Sequence, residues 1–298
     1  MNIYNRIAEN KRRTVYIMVL FILVVSAIAY FMGDYFSYGN GVVFLGYALV
    51  FSGLSAFASY YASDKIVLAV SGAKEVKEQE NPHLHKLVEN LCIGSGMPKP
   101  RIYLIQDTAM NAFATGRDPK HAVLCFTSGI VARLDKLELE GVIAHELSHV
   151  GNYDIRLMSI VSVLVGTLVL VSDWLTRGVF YGSASRRSRS EGSGILILVG
   201  FVLILLSPII ATLIKLALSR QREYLSDASA ALLTRYPKGL ANALTKLADD
   251  REVLEAANGA TAHLYITSPL KGGQAGLLAN LFSTHPPIQD RIRKLEAM

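Results

Sequence analysis

The chain has 298 residues, 51% of them hydrophobic and 18% charged, with a formal net charge of +6. That apolar share, with a mean hydropathy of +0.34, exceeds what an ordinary soluble domain needs and places part of the surface against lipid. The Lys and Arg residues are dispersed and many flank apolar runs, a placement that fits membrane orientation rather than nucleic-acid binding.

In chain order, the first apolar run is TVYIMVLFILVVSAIAYFM, residues 14–32, uncharged and long enough to span a bilayer. Arg6, Lys11, Arg12 and Arg13 precede it. A charged start and the Ala27-Ile28-Ala29 triplet also mark secretory signal peptides. Here the apolar run continues past the triplet and a second run, residues 41–62, follows at once, so residues 1–62 read as a membrane hairpin. The link between the runs, GDYFSYGN, carries Asp34 and no Lys or Arg.

Residues 63–156 are polar enough to be soluble. HLHKLVENLCIGSG has helical periodicity and a glycine stop. Residues 101–106, 111–116 and 121–129 read as short strands. Cys92 and Cys125 have neither zinc-type spacing nor a disulfide framework, and read as buried free thiols in a reducing compartment. LDKLELEGVIAHELSHVGNYD follows. Asp135 with Glu138 three places on resembles a capping box. Leu139, Val142, Ile143, Leu147 and Val150 give the helix an apolar side.

On that helix lies H-E-x-x-H: His145, Glu146 and His149. Residues i and i+4 share a face, so both imidazoles can reach one metal ion, and Glu146 can address a water beside it. A hydrolytic zinc site takes three protein ligands and leaves a position open. His83, His85, His121, His263 and His285 remain as further histidines, but Glu223 in SRQREYLSDASA is better placed for the third ligand. Asp227 follows four residues later on the same predicted face, where it can accept a hydrogen bond from the outer nitrogen of a ligand histidine. The plainer reading makes Glu223 a surface carboxylate paired with Arg220 or Arg222. His285, alone before two prolines that fix the local chain, is the candidate second donor to the oxyanion; its plainer role is loop packing. Arg291 reads as a solvated or paired structural charge.

Two further apolar runs, about 157–176 and 194–218, enclose the Ser- and Arg-rich stretch RGVFYGSASRRSRSEGS. Soluble character returns over residues 219–298, with a helical stretch from Ser219 to Asp250 and a closing amphipathic helix carrying Ile288, Ile292 and Leu295.

The combination resembles the HtpX-type membrane zinc metalloproteases, relatives of the CAAX prenyl endopeptidases. MNAFATG, AHELSHVGNYD, SRQREYLSD and THPP carry the resemblance, together with the two pairs of apolar runs, over nearly the whole chain. It implies one Zn2+ held by His145, His149 and Glu223, with Glu146 as catalytic base. Ser226 stands where the family often has alanine, a departure expected to touch none of the ligands. NAFATG resembles the edge strand of related metalloproteases. Asn111 and Ala112 would then flank a peptide substrate bound by strand addition; the plainer reading is an ordinary half-buried strand.

The expectation is therefore an α+β zincin-type metalloprotease domain, predominantly helical with a small sheet, combined with transmembrane helices. Its proteolytic part is assembled from 63–156 and 219–298, with the membrane hairpin 157–218 inserted between. The resemblance implies a multi-pass cell-membrane endopeptidase active in quality control of membrane proteins under stress, with the bilayer and polypeptide substrates as partners and no nucleic acid. Processing of prenylated or signal-like peptides is the alternative within enzymes. A zinc transporter or sensor is the rival from another class, but the runs hold only Asp173 and Lys215 near their ends, too few ionisable groups for a path. A silent scaffold often lacks the glutamate between the histidines, and Glu146 is present. The basic N-terminus and the link at 33–40 orient the first runs so that the site faces the cytoplasm. Arg177, Arg186, Arg187 and Arg189 against Glu191 oppose full crossing of the later runs, which leaves two crossings or a shallow hairpin as the two forms.

Overall fold

The computed structural model describes residues 3–36, 39–183, 213, 219–257, 260–269 and 286–298. The stretch 184–193, His285 and, apart from Leu213, the run 194–218 lie outside the described residues.

Two long helices open the fold, α1 (Ile3–Phe36) and α2 (Gly41–Val70). They pack along each other through a seam of small residues on α2, with Ala48, Ser52, Ala56, Ser59 and Ser63 buried. Small side chains let helices approach closely in lipid, and two seam hydroxyls are satisfied within the helix: Ser52 Oγ donates to the Ala48 carbonyl and Ser59 Oγ to the Ser55 carbonyl, each at 2.6 Å. Val15, Leu23, Phe31, Val42, Leu54 and Phe57 point outward and are exposed. Among the described residues three helical segments are long and apolar enough to cross a membrane: Ile7–Asp34, Gly41–Val70 and Asp154–Asp173.

A four-stranded sheet follows: β1 (Lys74–Glu75), β2 (Arg101–Ile105), β3 (Ala112–Thr115) and β4 (Val123–Thr127), in the order β1-β2-β4-β3. The β2–β4 pair is parallel, with Tyr103 opposite Cys125; β3 runs antiparallel to β4, with Ala114 opposite Leu124. All five residues of β4 are buried, as expected of a strand covered on both faces. Alternation sorts the side chains. Ile102, Ala112, Ala114, Leu124 and Phe126 join a core with α3 (Pro82–Ser95) and α5 (Lys136–Gly151). Ile105, Phe113, Val123 and Cys125 join a second core with Ile17 and Phe21 of α1, Val67 of α2 and α6 (Asp154–Ser183). The sheet thus lies between the helices of the H-E-x-x-H motif and the membrane helices.

Local signals explain the helix ends. Asn81 accepts from Leu84 N at 3.1 Å to start α3, and Gly96 stops it at φ 68°. Thr127 caps the short α4 (Ser128–Arg133). Asp135 and Glu138 form a complete capping box at the head of α5. The stretch after Ser219 is two helices rather than one, α7 (Arg220–Thr234) and α8 (Pro237–Asp249): Arg235 turns left-handed at φ 52°, and Pro237 begins the next helix. Gly141 and Gly239 let α5 and α8 cross at backbone contact; a Cβ on Gly141 would meet Leu240 N at 2.6 Å. The closing helix is α9 (Ile288–Glu296), with Arg291, Ile292 and Leu295 buried. The expected fold class is what the structure has: mostly helical, one small mixed sheet and membrane-length helices.

Candidate metal centre

Helix α5 presents His145 and His149 on one side, and α7 brings Glu223 against them. Each offers one ligand atom, and the three atoms lie within 4.8 Å of one another. The two Nε2 atoms are 3.2 Å apart. Glu223 Oε1 is 3.6 Å from His149 Nε2, and Oε2 is 3.8 Å from His145 Nε2. All three residues are buried.

The outer nitrogens show which way the imidazoles face. His145 Nδ1 is 2.9 Å from Asp227 Oδ1, and His149 Nδ1 is 3.1 Å from Asp154 Oδ2. An Nδ1–H donated to a carboxylate leaves the Nε2 lone pair free for a metal. Two such lone pairs beside a carboxylate, in a buried site, repel each other unless a proton or a metal cation stands among them. A tetrahedral ion with bonds of about 2.0–2.2 Å spaces its ligand atoms by about 3.3–3.6 Å, close to the separations found. The donor set of two imidazoles and one carboxylate fits zinc.

Each carboxylate is itself held. Asp227 receives Arg291 Nη2 at 2.7 Å and Nε at 2.9 Å, while Arg291 Nη1 donates to the Ile266 carbonyl at 3.0 Å. Asp154 Oδ1 receives Asn10 Nδ2 at 2.8 Å and Arg222 Nη1 at 3.2 Å. Asp154 reaches back to His149 because the chain between α5 and α6 turns through Tyr153 at φ 60°, a costly conformation for a bulky residue. Lys11 and Arg156 lie over the Tyr153 ring, 4.6 and 5.0 Å from its centroid.

Electrostatics follow from burial and these partners. Burial pushes the Glu146 carboxyl up to about 7, with His149 pulling down and Glu223 adding to the rise. Burial would also raise Asp227, but Arg291 and His145 outweigh it and hold the group down to about 2. Burial lowers His145, which Asp227 opposes. Burial would lower His149 too, yet the Asp154 hydrogen bond and the charges of Glu223, Asp154 and Glu146 push it up to about 9.

The sequence-level candidates are distributed as follows. His145, Glu146, His149, Glu223 and Asp227 come together. Asn111 and Ala112 lie at the edge strand but are buried: Ile266 N donates to the Ala112 carbonyl at 2.9 Å, and Asn111 Nδ2 donates to the Thr267 carbonyl at 3.1 Å. The backbone of Ala114, on the same strand, bonds to Glu146. Ser226, expected to touch no ligand, does touch one: its Oγ is 3.2 Å from His149 Nδ1, because Ser226 sits one residue before Asp227 on the helix face turned to α5. Arg291 is paired, and fully buried rather than solvated. Its signal was available, since Ile288, Arg291, Ile292 and Leu295 follow i, i+3, i+4, i+7 and put the arginine on the apolar stripe. Asp154 stood in the quoted motif without a role, and Asn10 and Arg222 carried no local signal.

The profile of Peptidase family M48 matches residues 78–298. The chain belongs to peptidase family M48. Curated relatives named "Protease HtpX homolog" align along its whole length. The protein of Dictyoglomus thermophilum is 47% identical over 298 residues, covering 99% of this chain and 94% of the relative. That of Tropheryma whipplei is 43% identical over 295 residues, covering 99% and 98%. The crystal structure of S. mikatae Ste24p shares the fold at a TM-score of 0.51 and 21% identity, over 94% of this chain and 62% of that one. This M48 protein is thus a membrane metalloprotease of HtpX type, from a family whose members depend on zinc.

Proposed function

We propose that this M48 protease holds one zinc ion on His145, His149 and Glu223 and cleaves polypeptides at the cytoplasmic face of the cell membrane, with membrane proteins among its substrates and quality control as its role. Residues 63–156 and 219–298 form the proteolytic unit, and 157–218 an inserted hairpin. The observation that carries the reading is the pair of Nε2 atoms 3.2 Å apart, each imidazole backed by a carboxylate on its other nitrogen.

When bound, zinc acidifies a water and polarises the scissile carbonyl. Glu146 sits next to His145 on α5 and is not one of the three converging groups. Its elevated carboxyl suits it to take a proton at one moment and release it at the next, help typically worth about 10²–10⁴-fold. Asp227 and Asp154 keep both imidazoles in the tautomer that faces the ion. The substrate backbone runs along β3 past Asn111 and Ala112, which requires the Ile266–Thr267 segment to yield its hydrogen bonds. His285 is the proposed second oxyanion donor.

The test is a comparison of membranes carrying the active enzyme with membranes carrying Glu146→Gln, by zinc content and by proteomics of accumulated proteins. The variant should keep its zinc, lose cleavage and accumulate many unrelated membrane proteins. Cleavage near the parent rate removes Glu146 from its role, and a single accumulated peptide class replaces quality control with dedicated processing.

A further inference from the structure

The N-terminal helix reaches toward the metal centre through Asn10. Asn10, near the start of α1, is 5% exposed. Its amide nitrogen donates to the Asn152 carbonyl at 2.9 Å and to Asp154 Oδ1 at 2.8 Å. Its amide oxygen accepts from Arg222 Nη1 at 3.1 Å. Both hydrogens and the oxygen are therefore engaged, and three segments distant in sequence meet at one residue. Asp154 Oδ2 in turn receives His149 Nδ1 at 3.1 Å. A continuous path of hydrogen bonds runs from the first membrane helix through Asp154 to His149.

A carboxylate orients an imidazole only as firmly as the carboxylate itself is held. Asp154 follows directly on the left-handed Tyr153, so it begins α6 on a strained turn. Asn10 bonds to both sides of that turn, the Asn152 carbonyl before it and the Asp154 carboxylate after it. Arg222 adds its charge at Asp154 Oδ1, 3.2 Å away.

We propose that Asn10 is a positioning residue for His149, whose side-chain amide, acting through Asp154, sets how tightly the protein retains zinc. This rests on the zinc reading of the site. With Asn10 in place, Asp154 keeps the His149 lone pair on the ion. When the Asn10 amide is lost, the turn relaxes, the imidazole rotates more freely and the ion leaves sooner. A polar cavity of about 120 Å³, lined in part by Glu9, Arg13 and Gln221, adjoins Asn10, so shortening the side chain opens onto polar surroundings rather than an apolar void.

The experiment uses the full chain in detergent, loaded with zinc and, separately, with cobalt. Zinc release to a chromophoric chelator and the visible spectrum of the cobalt form are recorded for the parent, Asn10→Ala, the isosteric Asn10→Asp, Asp154→Ala, the Asn10→Ala/Asp154→Ala pair, Ile17→Ala and Glu223→Ala. Loss of Asn10 should speed zinc release about tenfold, the low end for groups that orient a metal ligand, and shift the cobalt spectrum. Asn10→Asp, which sets a carboxylate against Asp154, should do so at least as strongly even if the alanine variant does not fold. The paired variant should match Asp154→Ala alone, because Asn10 acts through Asp154. Ile17→Ala, which loosens the packing of the same helix, should lower the melting temperature and leave zinc release at the parent rate. Zinc release unchanged in both Asn10 variants overturns the inference, as does an Asn10 effect that adds in full to that of Asp154→Ala or is copied by Ile17→Ala. A parent that takes up no zinc, or a Glu223→Ala form that holds it equally well, overturns the zinc reading and this inference with it.

Discussion

Arg291 grips Asp227 at two points, Nη2 to Oδ1 at 2.7 Å and Nε to Oδ2 at 2.9 Å, with both side chains buried. The pair joins the last helix of the chain to the helix carrying Glu223, and Asp227 passes the constraint to His145. Breaking a buried pair strands a charge, at a typical cost of about 3–5 kcal/mol. Arg291→Ala should therefore lower stability by about that much and weaken zinc binding. Arg291→Lys should fall between, since it keeps the charge and loses the planar fork. Denaturant unfolding of the detergent-solubilised proteins and zinc titration measure both effects; an alanine variant within about 1 kcal/mol of the parent would show the pair to be expendable.

Zinc uptake should release a proton. In the metal-free site His149 is pushed up to about 9 from an ordinary value of 6.5, so near pH 7.5 the site holds a proton on the nitrogen that faces the ion. Apparent zinc affinity should then rise about tenfold per pH unit and level off above about 9. For the metal-free fold the sign is opposite: the stability gained from this proton is complete below about 6.5 and disappears as pH rises through about 9. Calorimetric titrations in two buffers of different ionisation enthalpy count the protons, and a count of zero at pH 7.5 contradicts the assignment.

Gly141→Ala should destabilise the fold although alanine favours helix. A Cβ there meets Leu240 N at 2.6 Å, so α5 and α8 must separate. Overpacking of this kind costs about 1–3 kcal/mol, more than the roughly 1 kcal/mol that alanine adds in a helix. A lower melting temperature is expected, and an unchanged or higher one would mean that the crossing can widen freely.

Residues 63–156 are expected to face the cytoplasm. Gln79→Cys, exposed in the turn before α3, should resist an impermeant maleimide on intact cells and react after permeabilisation. The native thiols make a quiet background: Cys92 and Cys125 are buried, and burial pushes the Cys92 thiol up to about 11. Ser63, at the end of the second apolar run, is a poor probe position because it lies inside the α2 seam. Labelling of intact cells at residue 79 reverses the orientation.

What was legible in the sequence was local. The capping box, the i, i+4 histidines and the glycine stop at 96 depend on neighbours within a turn, and so could be read without the fold. Glu223 and Asp227 were legible as a pair that meets the ligand histidines, though neither which histidine Asp227 faces nor the Arg291 that holds it was. Asp154 escaped because its role depends on a tyrosine in the left-handed region, for which nothing in the local sequence argues. Asn10 escaped because its partners lie 142, 144 and 212 residues away. The edge strand was legible as a strand, but its occupation by Ile266 arises from a segment with no regular pattern of its own.

Strands β3 and β4 have no face left for water, being buried along their whole length. Phe113, Val123 and Cys125 meet Ile17, Phe21 and Val67, so the hairpin that enters the bilayer also completes the interior of the protease. Membrane attachment and folding are then one event rather than an anchor added to a finished enzyme. A chain trimmed to begin after residue 70 would present one side of its own sheet as a sticky surface and should precipitate instead of working in solution. The same arrangement means that no single cut near the membrane can release an active fragment, so proteolytic power stays confined to the bilayer for as long as the fold exists.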